Sequence, residues 1–228
     1  MNVVVLASRK GGSGKSTLTA HLGAHAYRSS GSCLLIDADP QGSLTLWQTL
    51  RRTGEPPLET ANSGVADLVK QAEQSGTDWV FIDTPPNMSA VVTEAIRCAT
   101  IVVIPARPGV FDIDAVKETI EFTRALRKPY AVVMNSAPAR RANRDSSVVT
   151  QARQTLAAIN APVWGGQISY RTNYSLALAE GEDADEYDSS SLAAVEIGTL
   201  WYAIEQSVRA IIEMNGAAAR AAARPNAA

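Results

Sequence analysis

Short runs of apolar, largely β-branched residues recur along the chain, separated by glycine, proline and charged positions. They fall at Val3 to Ser8, Cys33 to Asp37, Trp79 to Asp83, Ile101 to Pro105 and Tyr130 to Asn135. Runs this short, without polar alternation, predict strands buried on both faces. Between them the apolar positions spread to a helical period, over Thr17 to Arg28, Val65 to Gln74, Ala90 to Cys98 and Ile113 to Leu126. Strand and helix alternating in this way predict an α/β fold, a mostly parallel sheet with helices on both faces. A longer helix is predicted from Ser191 to Met214, with Leu192, Val195, Leu200, Ile204, Val208 and Ile211 on its packing face and Gly216 as its stop. The pattern predicts one domain over residues 1–215 and an Ala-rich, disordered tail over 216–228.

Composition narrows the class. Hydrophobic residues make up 46% and charged residues 19% of the chain, which excludes a disordered polypeptide. No apolar run approaches the ~20 residues of a membrane span, and the tail lacks the large apolar residues of an interfacial helix. The first strand begins without a basic region or cleavage site before it, so a cytoplasmic protein is expected. Cys33 and Cys98 are too few for a disulfide framework and form no CxxC pair for zinc or an iron-sulfur cluster. His21 and His25 are spaced i, i+4 but no third metal ligand accompanies them.

Charge adds more. The net charge of -2 conceals eight basic and one acidic residue in 124–171, followed by eight acids and no base in 172–205. The basic segment carries Arg140, Arg141 and Arg144 in a proline-containing loop, Arg153 on the next helix and Arg171 in a loop beyond. Read alone, it is a solvated face. Aromatic residues are not interleaved, which for any nucleic-acid contact favours the backbone over base stacking.

Chemistry concentrates after the first strand, at Arg9-Lys10-Gly11-Gly12-Ser13-Gly14-Lys15-Ser16-Thr17. A glycine-rich loop between a strand and a helix converges backbone N–H groups and a helix N-terminus on phosphate. Gly11, Gly12, Ser13, Gly14, Ser16 and Thr17 are the candidate cradle, Lys15 is placed to reach the β- and γ-phosphates, and Ser16 is a candidate Mg²⁺ ligand. The general pattern GxxxxGK[ST] is broken at its first glycine, which is Arg9. Asp83 ends an apolar strand and suits a carboxylate holding Mg²⁺ through water, with Asp37 ending the neighbouring strand near the same metal. Read alone, Asp37 and Asp39 are equally turn and cap carboxylates before Pro40. Asn135 either contacts the nucleotide base through its amide or caps the turn after its strand. No guanine-specific NKxD follows it, so adenine is favoured.

The run KGGSGKST, with a second lysine at Lys10, resembles the deviant Walker A motif of the ParA/MinD family of ATPases. LLIDADPQGS (Leu34 to Ser43) is similar to that family's switch I, FIDTPP (Phe81 to Pro86) to its Walker B and switch II, and VVMN (Val132 to Asn135) to its base-binding strand end. Trp47, shortly after DPQGS, resembles the small single-domain ParA subgroup. The resemblance implies a P-loop NTPase architecture, ATP and Mg²⁺ as cofactors, and activator-stimulated ATP hydrolysis. It also implies that Lys10 reaches across an ATP-dependent homodimer to the partner's nucleotide, and that Asp39 orients the attacking water. The implied partners are non-specific DNA, bound through the basic segment, and a ParB-like or cargo-linked activator, with location at the nucleoid and no membrane. The alternative is a DNA-independent or membrane-cycling MinD-like scaffold.

Overall fold

The computed structural model describes residues 1–222. Six strands form the centre: β1 (Asn2–Leu6), β2 (Cys33–Asp37), β3 (Leu58–Thr60), β4 (Trp79–Asp83), β5 (Ile101–Ala106) and β6 (Tyr130–Met134). The helices are α1 (Lys15–Ser30), α2 (Ser43–Leu50), α3 (Val65–Gln74), α4 (Ala90–Cys98), α5 (Val110–Ala125), α6 (Ser147–Ala158), α7 (Thr172–Ala179), α8 (Ala184–Tyr187) and α9 (Leu192–Ala222). Every strand pairing is parallel, in the order β3-β2-β4-β1-β5-β6. The expected α/β class is therefore observed. None of these helices is long and apolar enough to cross a membrane.

The sheet is buried on both faces because its strands carry apolar side chains at odd and even positions alike. Val3, Val5, Ile36, Val80, Ile82, Val102 and Ile104 belong to the core shared with α3, α4, α5 and α6. Val4, Leu6, Leu35, Phe81, Val103 and Val133 belong to the core shared with α1, α2 and α9. On that second face Trp201 packs edge-on to Trp79, with ring centroids 4.6 Å apart.

The long C-terminal helix departs from its expected phase and end. Leu192 and Val195 are exposed, while Ala193, Ile197, Leu200, Trp201, Ile204 and Val208 are buried. Small residues at the helix start bring its backbone close to the protein, which turns the two larger aliphatic side chains outward. Gly216 does not stop the helix, which continues to Ala222, because a single glycine costs a helix only ~1 kcal/mol. The remainder of the expected disordered tail, residues 223–228, lies outside the described residues.

Parallel strands direct all their C-terminal ends to one rim. Strand β1 lies between β4 and β5, so the loops leaving these strands diverge there and open a crevice.

Candidate functional site

The glycine-rich loop leaves β1 at this crevice and runs directly into α1. Gly14 precedes the helix with φ 97°, a conformation that L side chains avoid. A Cβ there would also collide with the Asn135 amide. The loop and the helix N-terminus line a cleft of about 540 Å³ through Gly11, Gly12, Gly14, Lys15, Ser16 and Thr17. Asp39, Gln41 and Trp47 from the β2–α2 region, Pro86 after β4, Arg107 after β5 and Leu178 from α7 also line it.

Lys15 is buried at the helix start. Desolvation lowers its pKa, while the charges of Asp83 and Asp39 act to raise it. Asp83 is fully buried, and neither carboxylate oxygen has a hydrogen-bond partner. Burial pushes its pKa up to about 7, with the nearby Asp37 charge acting in the same direction and the Lys15 charge against it. An orphaned carboxylate beside a hydroxyl and below a phosphate cradle suits a divalent cation. No cluster of three His, Cys, Asp or Glu side chains accompanies it among the described residues. Such a cation would therefore rest on few protein ligands plus phosphate, as Mg²⁺ does.

The other strand-end carboxylate behaves differently. Asp37 accepts from the Thr45 backbone N–H at 2.8 Å, the Thr45 hydroxyl at 2.7 Å and the Asp39 N–H at 3.2 Å. These bonds use Asp37 to fix the turn into α2 and leave it less free to hold metal. Asp39 accepts one bond, from the Gln41 N–H at 3.0 Å, and faces the cleft. Lys10 is half-buried and is not among the residues lining the cleft of its own chain.

Asn135 is placed beside the loop, where its Nδ2 donates to the Ser13 carbonyl at 2.7 Å. Its amide thus braces the phosphate loop, a use that the strand-end position alone did not indicate. Ser13 is buried behind the cradle.

The five candidate arginines divide into two groups. Arg153 donates to Asp145 and to the carbonyls of Trp164 and Gly166, and Arg171 donates to Glu196. Both are half-buried and engaged within the fold. Arg140 is exposed but paired with Asp145. Arg141 and Arg144 are exposed on one tight turn, with no side-chain partner among the described residues. The acidic segment is likewise paired internally: Asp183, Asp185 and Glu186 hold Arg28, and Glu186 also holds Arg51. His21 Nδ1 accepts the Ala184 N–H at 3.1 Å.

Arg107 was not singled out by sequence. Its signal was positional: β5 pairs with β1, Val103 opposite Leu6, so the first cation after β5 emerges beside the phosphate loop.

The model of the CobQ/CobB/MinD/ParA nucleotide binding domain family matches residues 4–184. Over 117 residues the chain is 39% identical to Protein ParA of Rhizobium radiobacter, covering 49% of this chain and 51% of that protein. It is 34% identical over 120 residues to the maintenance of carboxysome distribution protein A of Gloeobacter kilaueensis, covering 52% and 55%. The chain thus spans about half the length of these curated relatives. Among solved structures, the MinD cell division protein of Aquifex aeolicus superposes with a TM-score of 0.69 at 21% identity, over 90% of this chain and 98% of that one. Cobyrinic acid a,c-diamide synthase of Mycobacterium smegmatis, solved with a bound ATP analogue and magnesium, gives 0.68 at 17% identity, over 90% and 94%. At these identities the likeness is one of fold.

Proposed function

Since the chain belongs to the CobQ/CobB/MinD/ParA nucleotide-binding family, we propose that it is a ParA-type ATPase that binds ATP with Mg²⁺, dimerises and positions a cargo on DNA. The observation that carries this reading is the placement of Lys15 and the unpartnered Asp83 carboxylate at one end of a phosphate cradle. Lys15 would neutralise phosphate charge, and Ser16 with Asp83 would hold the metal. Bound Mg²⁺ supplies charge stabilisation at the transferring phosphoryl group. Asp39 faces the cleft and keeps hydrogen-bonding capacity to orient water. Lys10, outside its own cleft wall, suits action on the nucleotide of a second copy.

For DNA, Arg141 and Arg144 form the contact surface, and dimerisation doubles the phosphates within reach. Relatives named for chromosome partitioning and for carboxysome distribution support a large cargo, and the proposal extends to its discharge by a ParB-like or cargo-linked activator at the nucleoid.

The test combines nucleotide binding, light scattering and hydrolysis. Lys15→Ala is expected to abolish tight ATP binding, Asp39→Ala to dimerise with ATP without hydrolysing it, and Lys10→Ala to lose productive turnover. Unchanged ATP affinity in Lys15→Ala removes the reading.

A further inference from the structure

We propose that Arg107 is a nucleotide-contacting residue, a second cation that grips the phosphate chain alongside Lys15. The proposal rests on the reading of the cleft as an ATP site. Arg107 leaves the end of β5 one strand away from the phosphate loop and lines the same cleft. A Cβ added to Gly12 would lie 3.9 Å from its guanidinium Nη2, so the fork reaches the cradle itself.

The charge of Arg107 is uncommitted in this structure. The residue is exposed and has neither a hydrogen bond nor an ion pair among the described residues. Neighbouring cations differ. Arg9, at the start of the same loop, is tied to Glu118 on α5. Lys15 lies within the field of Asp83 and Asp39, which offsets part of its charge. A polyphosphate entering the cleft therefore meets one buried lysine already shared with carboxylates and one guanidinium with no carboxylate in contact. Guanidinium presents a planar fork of donors that matches two phosphate oxygens at once, which the point charge of a lysine cannot do.

The experiment measures equilibrium affinity for fluorescent ATP and ADP analogues with Mg²⁺, in wild type, Arg107→Ala, Arg107→Lys and Lys15→Ala, across a salt series. Arg107→Ala is expected to lose about tenfold in ATP affinity and to show a shallower salt dependence, consistent with a lost charge-assisted bond. Arg107→Lys is expected to recover only part of the loss. A larger loss for ATP than for ADP supports a grip on the terminal phosphate, and an equal loss supports a grip on the phosphates they share. Melting temperatures should match wild type, because the side chain is exposed and unpaired. ATP affinity in Arg107→Ala within about twofold of wild type, while Lys15→Ala loses binding, overturns this proposal alone. A wild-type protein that binds neither nucleotide overturns the ATP-site reading together with it.

Discussion

A fully buried carboxylate without hydrogen bonds destabilises the protein that contains it, and Asp83 is such a group. With its pKa pushed up by burial to about 7, against an ordinary value of 3.8, folded protein holds a proton that the unfolded chain has released between those pH values. The contribution of Asp83 to stability therefore falls as pH rises through this window, the reverse of a salt-bridged aspartate. Asp83→Asn is expected to stabilise the metal-free protein at pH 8 by on the order of 2 kcal/mol, a gain that shrinks towards pH 4. The same variant should lose Mg²⁺-dependent ATP hydrolysis. Thermal melts from pH 4 to 8 beside a hydrolysis assay check both halves, and an unchanged melting temperature at pH 8 refutes the stability half. At this scale the sequence was informative where function depends on loop spacing, as for Lys15 and Ser16. It was uninformative where the partner is remote: the Ser13 carbonyl that holds Asn135 lies 122 positions away.

Helix α8, only four residues long, shows how an element too short to sustain itself is held by its surroundings. Asp183 and Glu186 form a reciprocal cap at its start, and Arg28 on α1 pairs with both. Arg51, which follows α2, donates to the Gly181 carbonyl at 2.9 Å and to Glu186, and stacks over Trp47 in the cleft wall. Gly181 has φ 73°, and a Cβ there would collide with the Leu50 carbonyl, so this close approach requires glycine. Beneath them, His21 is fully buried and its pKa is lowered to about 4 by desolvation. A histidine depressed in the folded state contributes stability above its unfolded value near 6.5, and that contribution is lost as pH falls from there towards 4. His21→Gln, which keeps an acceptor for the Ala184 N–H but cannot titrate, is expected to flatten the pH dependence across this window. The wild-type slope it removes integrates to as much as about 3 kcal/mol. Urea midpoints at half-unit pH intervals measure it, and a slope identical to wild type would exclude His21 as its source. Neither α7 nor α8 was legible in the sequence, because eight and four residues are too few to establish a helical period. The start of α9 was misread for a related reason: the buried face there is made of alanines, which carry little hydrophobic signal.

For the molecule as a whole, the uneven charge along the chain resolves mainly into internal pairing. Three of the five arginines that looked available to nucleic acid are held by Asp145 or Glu196. Replacing Arg141 and Arg144 together with Ala is expected to weaken ATP-dependent DNA binding at every sequence. Replacement should also flatten the fall of log affinity with log salt by about 0.9 per lost contact, with the melting temperature unchanged. Arg153→Ala and Arg171→Ala should instead lower the melting temperature by several degrees, since the first leaves Asp145 Oδ2 and the Trp164 and Gly166 carbonyls without a donor and the second leaves the half-buried Glu196 without its countercharge. A salt titration beside thermal melts separates the groups, and DNA binding untouched in the double variant counts against this turn as the surface. The parallel sheet was readable from the alternation of apolar strands and helices. The edge strand β3 was not, because its three residues are partly exposed and carry little apolar signal.

The common direction of the strands has a practical consequence for measuring these effects. Gln74, exposed at the last turn of α3, sits at the rim where β4 begins, a five-residue strand or roughly 17 Å behind the phosphate loop. Neither native thiol is both exposed and activated: Cys33 is buried with its pKa pushed far up, and the half-buried Cys98 is raised as well. A maleimide dye directed to Gln74→Cys would therefore react fastest at that position, leaving the whole nucleotide rim unlabelled for single-molecule observation.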